Sequence, residues 1–150
     1  MIKKILVSID GSKTAQKALE YTVDLAKQTG SSIILLSVID KSLFYGEPII
    51  PSKSTPTHLL ENVEDYLKQT AEAYLTKAEE LCAAKRVESL KIIKAGHPVE
   101  EIIKTAKASK VDLIVLGSHG KSALGAVLLG SVTIGVMHME KKIPVLVVRR

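Results

Sequence analysis

Apolar residues fall along this chain in two patterns that take turns. Five short runs are nearly continuous: KILVSI (Lys4 to Ile9), IILLSV (Ile33 to Val38), LKIIK (Leu90 to Lys94), DLIVLG (Asp112 to Gly117) and PVLVV (Pro144 to Val148). Runs of this length, rich in β-branched residues, predict buried strands. Between them apolar positions recur in steps of three and four, the period of a helix with one buried face. The first such segment, Thr14 to Gln28, places Ala15, Ala18, Leu19, Thr22, Leu25 and Ala26 on one side. Asp10-Gly11-Ser12 supplies its turn and cap, and Gly30 its stop. A longer helix is predicted over His58 to Lys85, with Leu60, Val63, Leu67, Ala71, Tyr74, Ala78 and Leu81 as its apolar stripe. A third starts at Gly96-His97-Pro98, with Glu100 and Glu101 at its positive end and Ile102, Ile103 and Ala106 inward. A fourth opens at Gly130-Ser131 and runs to about Glu140. Ile39 to Thr57, holding Gly46, Pro48, Pro51 and Pro56, is predicted as a long loop.

Strands that alternate with helices, and that are apolar throughout, indicate a parallel sheet covered on both faces, an α/β fold. Open sheets of this kind bind ligands at the carboxyl ends of their strands, where the strand order reverses. Asp10, Val38 and Gly117 stand at such ends and are expected along one edge of the molecule.

Composition narrows the function. The 150 residues suit one domain, residues 1–150, and a 46% apolar content supports a packed core. Aromatics make up 3% of the chain with no Trp, which disfavours recognition of single-stranded nucleic acid by stacking. The net charge of +5 comes from lysines scattered among glutamates, read as a solvated surface, so no nucleic-acid partner is expected. The lone Cys82 sits at an apolar helical position and is expected as a buried, inert thiol. The opening MIKKILVSID lacks the features of a secretory signal, and no apolar run has membrane-spanning length. A cytoplasmic protein with no membrane partner is expected.

Several chemistries lack their residues. His58, His97, His119 and His138 are far apart and none pairs with another ligand at metal spacing. Gly117-Ser118-His119-Gly120 is not a G-x-S-x-G elbow, and G-x-G-x-x-G is absent. GSHGKS resembles a phosphate loop, but two residues, not four, separate its first glycine from Gly120-Lys121-Ser122. His119 could act as a general acid or base, or as a loop histidine that meets a ligand. What remains is a spacing, Gly117-x2-Gly120-x9-Gly130-Ser131. Glycines at a strand end let a ligand approach the backbone and let the chain turn sharply. A helix beginning at Gly130-Ser131-Val132-Thr133 offers free N–H groups and a positive dipole end to phosphate. A plain turn followed by a Ser131 cap explains the same residues, and physics alone leaves both readings open.

The G-x2-G-x9-G-S spacing resembles that of ATP-binding universal stress proteins. The similarity extends to KKILVSIDGS, ILLSVID, GHPVEEIIKTAKASKVDLIVLGSHG and IPVLVVRR, and so to most of the chain. The resemblance implies a Rossmann-like fold with a five-stranded parallel sheet of order 3-2-1-4-5, holding ATP across the strand ends with Mg²⁺ bound through the phosphates. It implies that Asp10 and the backbone at Ser8 and Ile9 line the adenosine, and that Val38 meets the adenine through its backbone. Gly117, Ser118, His119 and Gly120 would run beside ribose and phosphates. Gly130, Ser131, Val132 and Thr133 would hold phosphate oxygens, with Lys121 and Ser122 nearby. It also implies a homodimer paired through the last strand, Pro144 to Val148.

The expectation is therefore an adenine-nucleotide-binding stress-response protein in which ATP is a regulatory or structural ligand, with at most weak hydrolysis. The alternative is a dimeric interaction module of the same fold that binds no nucleotide. An enzyme that activates substrates with ATP is a distant third, because neither an SGGxDS nor a HIGH-type motif occurs.

Overall fold

A computed structural model of the protein describes residues 1–42, 57–120 and 129–149, with side chains between 57 and 61 left aside. Five strands and four helices are found among them: β1 (Lys4–Ser8), α1 (Lys13–Thr29), β2 (Ser32–Asp40), α2 (Thr57–Ala84), β3 (Ser89–Gly96), α3 (Pro98–Ala108), β4 (Leu113–Gly117), α4 (Ser131–Met139) and β5 (Val145–Val148). The strands form one sheet in the order β3-β2-β1-β4-β5, all pairs parallel. The expected α/β architecture and strand order are both present.

Each predicted strand and helix is found, with its ends displaced by at most two residues. The larger differences are in β2 and β3. β2 continues through Ile39 and Asp40, because β3 runs on to Gly96 and pairs with both. The loop expected from Ile39 thus begins later, and residues 43–56 lie outside the described part. Lys121 and Ser122 lie outside it as well.

The continuous apolar runs are explained by the two layers of helices. Alternate residues of each central strand point to opposite faces. Ile5, Val7, Ile33, Leu35 and Val115 pack with Leu19, Val23, Leu75 and Cys82 of α1 and α2. Leu6, Ile34, Leu36, Ile114 and Leu116 pack with Ile102, Ala106 and Val136 of α3 and α4. Each Ile, Leu or Val among them contributes about 1.5–3 kcal/mol when fully buried. β3 departs from the expectation of full cover: as an edge strand it leaves Leu90, Lys91 and Lys94 exposed. On α2 the buried line is Ala71, Leu75, Ala78 and Cys82, while Val63 is 46% exposed because the first turns of this long helix extend past the sheet. Cys82 is buried, as expected, and desolvation raises its thiol pKa.

The helix ends follow local chemistry. Ser12 caps α1, its hydroxyl accepting from the Ala15 amide, and Gly30 closes the helix in the left-handed region at φ 71°. Pro98 stands in the first turn of α3 with Glu100 and Glu101 beside it. α4 is different, for its cap is Gly130, which has no side chain to offer the first amides.

Candidate functional site

The strand order reverses between β1 and β4, since the chain adds β2 and β3 on one side and β4 and β5 on the other. A cleft of about 600 Å³ opens at the carboxyl ends of the strands there. Ser8, Ile9, Asp10, Val38, Gly117, His119, Gly120, Gly130, Ser131, Val132 and Thr133 all line it. Asp10, Val38 and Gly117 thus share one edge, as the strand-end argument requires. Ser118 lies just beneath the surface, 1% exposed, its amide bonded to the Val148 carbonyl and its carbonyl to the Gly130 amide at 2.6 Å.

Backbone polarity at the cleft follows from the register. Leu36 accepts a hydrogen bond from the Ile9 amide at 2.7 Å, so the main-chain groups of Leu36 point toward β1. Groups two residues further along a parallel strand point the same way. Val38 therefore presents an N–H and a C=O toward a strand that has already ended at Ser8, opposite Leu36. This donor–acceptor pair faces the cleft. Ile9 itself is buried in the core, which leaves only its backbone at the site.

The glycines are explained by packing more than by turning. None of Gly117, Gly120 and Gly130 has positive φ. A Cβ on Gly117 would stand 2.7 Å from the Thr14 carbonyl carbon and 2.9 Å from the Ala15 nitrogen, inside the backbone of α1. On Gly120 it would come 3.1 Å from an Asp10 carboxylate oxygen, and on Gly130 3.3 Å from the Gly120 nitrogen. The glycine segment is thus folded tightly against the start of α1 and against itself. The sharp turn expected from glycine freedom is not what Gly117 provides; it lets α1 sit on the end of β4.

Hydroxyl groups fasten this arrangement. The Thr14 hydroxyl donates to the His119 carbonyl, with Ser12 Oγ at 3.4 Å from the same oxygen. The Thr133 hydroxyl donates to the Gly117 carbonyl at 2.8 Å, which ties α4 to β4. Its proton is therefore directed at the protein, and Thr133 faces the cleft with its backbone. Ser131 is exposed, and the α4 amides of Ser131, Val132 and Thr133 precede the first intrahelical bond, from Ile134 to Gly130. Ser118 Oγ and His119 Nδ1 are 2.7 Å apart, which fixes the imidazole at the rim. Asp10 accepts from the Ser12 amide through Oδ1, so it both caps the turn and lines the cleft.

Some lining residues carried no signal as site residues. Leu67, Thr70, Ala71 and Tyr74 of α2 form one wall, and Pro98 and Ile102 of α3 another. Gly11, at φ 80°, accommodates the Tyr74 ring: a Cβ there would be 2.6 Å from the phenol oxygen. The stripe on α2 looks the same in sequence whether it covers core or cleft. Helix polarity is the signal available, since every helix after a parallel strand starts at the carboxyl edge.

The site thus combines a mainly apolar cleft, a backbone donor–acceptor pair at one end, and a helix start without a side-chain cap at the other. Residues 1–149 match the family model described as the universal stress protein family. The universal stress protein YxiE of Bacillus subtilis is 35% identical over 99% of this chain and 100% of its own length. MJ0577 of Methanocaldococcus jannaschii is 35% identical, with 100% of this chain and 96% of that protein aligned. Its solved structure superposes with a TM-score of 0.85, covering 100% of this chain and 97% of that one. A family protein of Arabidopsis thaliana, solved with AMP bound, shares the fold at a TM-score of 0.68 and 19% identity, covering 99% and 92% of the two chains. This chain belongs to the universal stress protein family.

Proposed function

We propose that the cleft binds ATP and that the nucleotide serves as a regulatory or structural ligand in a stress response. The observation that carries this reading is the pairing of Val38 with the start of α4 across one cleft. The Val38 N–H and C=O match the donor and acceptor on the edge of an adenine ring, between the apolar walls of α2 and α3. At the far end, the Ser131, Val132 and Thr133 amides and the positive end of α4 suit phosphate oxygens. The AMP-bound relative supports an adenine nucleotide as the ligand class.

The donor set fits a metal carried by the nucleotide. Among the described residues no group of three or more His, Cys, Asp and Glu could hold an ion. Mg²⁺, bound mainly by phosphates and water, requires no such cage. It would neutralise the phosphates, with water completing its shell. Gly117, His119 and Gly120 would border the ribose and phosphates, with Ser118 holding the His119 ring; Lys121 and Ser122 complete the proposed set. Ser8, Ile9 and Asp10 would line the adenosine.

The same reading includes a homodimer built on β5. The Ile114 amide donates to Pro144 and the Ser118 amide to Val148, so the alternate residues Val145 and Val147 direct their backbone outward. A bare apolar edge of this kind is suited to pairing with a second copy. No helix among the described residues is long and apolar enough to cross a membrane, and the proposed setting is the cytoplasm.

Calorimetry with Mg-ATP, and chromatography of the supernatant from freshly purified, denatured protein, test the ligand. Saturable binding or released adenine nucleotide supports the reading. Absence of both favours an interaction module without nucleotide. Val147→Pro removes only an outward N–H, which an edge strand tolerates. Sedimentation should then show monomers with nucleotide binding retained.

A further inference from the structure

The opposite end of the sheet, where the strands begin, carries the charge of this molecule. The segments 1–4, 26–32, 81–89, 105–113 and 136–145 comprise the strand starts, the turns before them and the last helical turns. They hold nine of the 21 Lys and Arg and three of the 16 Asp and Glu. This end therefore has an excess of six positive charges, against a net charge of +5 for the whole chain. Two of its three carboxylates are already engaged: Asp112 by the Lys3 and Lys4 amides, and Glu140, buried, by the Lys142 and Ile143 amides. Lysines scattered along the sequence are gathered here by the topology.

Backbone conformation gives a second, independent observation. Three helices end in left-handed turns, a position suited to glycine. α1 uses Gly30, but α2 and α3 are followed by Arg86 at φ 60° and Lys110 at φ 53°. These are the non-glycine residues with positive φ among the described part, and both are cations at this end. Left-handed backbone at a non-glycine residue costs about 1 kcal/mol or more, and such residues cluster at functional positions. Offsetting the helix dipoles needs a cation near the last turn, not in the left-handed residue itself.

A groove of about 600 Å³ runs between α1 and α2 at this end, lined by Lys3, Lys27, Lys85, Arg86, Ser31 and Glu88 among others. Both helices end there: the Ala26, Leu81, Cys82 and Ala83 carbonyls accept from the amides that follow each helix, which leaves the carbonyls of Lys27 in α1 and Ala84 in α2 among the cations. A ligand complementary to both must carry anionic groups and N–H donors together. Phosphodiester backbones have the first and not the second; an acidic peptide has both.

We propose that this face docks an acidic segment of a partner protein, at the end of the molecule opposite the cleft. The cations steer and hold the carboxylates, while the helix-end carbonyls accept from the peptide amides.

The test is fluorescence anisotropy of a labelled poly-glutamate peptide with the full chain, the variant Arg86→Gly/Lys110→Gly, and the control Lys17→Ala/Lys68→Ala. The control removes two exposed cations far from this face. Saturable binding is expected, weakening with salt and falling about tenfold in the glycine variant, with the control unchanged. The glycine variant should also melt several degrees higher, because it relieves two left-handed residues. Three results would overturn the proposal: no saturable binding at low salt, equal losses in both variants, or tighter binding of a single-stranded oligodeoxynucleotide or phosphatidylserine vesicles through the same residues.

Discussion

The Thr133 hydroxyl hydrogen-bonds the Gly117 carbonyl at 2.8 Å across 16 residues of sequence, joining the first turn of α4 to the last residue of β4. The bond sets where the α4 amides point, so the phosphate end of the cleft depends on it. Thr133→Val keeps the shape and leaves the part-buried carbonyl without this donor. It should cost about 1–2 kcal/mol of stability and weaken Mg-ATP several-fold in calorimetry. Thr133→Ser should restore both.

The glycines separate by what their missing side chains would meet. Gly117→Val drives a branched side chain into the α1 backbone, which cannot swing away as a side chain can. It should lower stability by more than about 3 kcal/mol, so a loss of nucleotide binding in that variant reports on folding. Among the described residues, Gly120→Ala meets only an Asp10 oxygen, at 3.1 Å. That carboxylate can rotate, so thermal unfolding should stay near wild type while Mg-ATP affinity falls about tenfold.

This contrast shows what the sequence could and could not convey. Periodicity located all nine elements because a buried strand and a one-sided helix leave distinct patterns. It placed Asp10, Val38 and Gly117 on one edge because strands in a parallel sheet all end together. It could not assign Gly117 its reason, since the obstructing atoms belong to Thr14 and Ala15, about a hundred positions away. The extension of β2 to Asp40 was equally hidden, because it depends on a partner in β3. Nor could it tell Leu67 and Tyr74 in the cleft from Leu75 in the core. Their places along α2 separate them: Leu75 packs in the core at 1% exposure, while Leu67 and Tyr74 line the cleft.

Acid should loosen the amino end of the sheet. Glu140 is held below its ordinary value of 4.5, first by the Ile143 and Lys142 amides and then by Lys107, whose Nζ is 3.7 Å away. Asp112 is lowered from 3.8 by the Lys3 and Lys4 amides. Depressed carboxyls stabilise the folded chain fully above their unfolded values, and the contribution disappears as pH falls through the folded ones. Stability followed by circular dichroism should therefore be flat near neutrality and decline below about pH 4.5. Glu140→Ala should cost about 2 kcal/mol at neutral pH, because two amides lose their acceptor. The gap to wild type should narrow in acid. A gap constant down to pH 3 would mean the carboxylate charge contributes nothing there.

The contact between α3 and α4 gives a case in which two effects have opposite signs. Gly135 lies inside α4, where alanine should be preferred by about 1 kcal/mol on helix propensity. A Cβ at this position would, however, stand 2.6 Å from Val99 Cγ2 of α3. Valine is short and branched, so it cannot move its methyl aside without turning χ1 against its own helix. Overpacking of this sort costs about 1–3 kcal/mol, which exceeds the propensity gain. Gly135→Ala alone should lower stability by about 1 kcal/mol. In a Val99→Ala background the obstruction is gone, and the same substitution should become stabilising. A double-mutant cycle by urea unfolding reads the change of sign directly. If Gly135→Ala stabilises the wild-type chain, the helices are further apart than this contact requires.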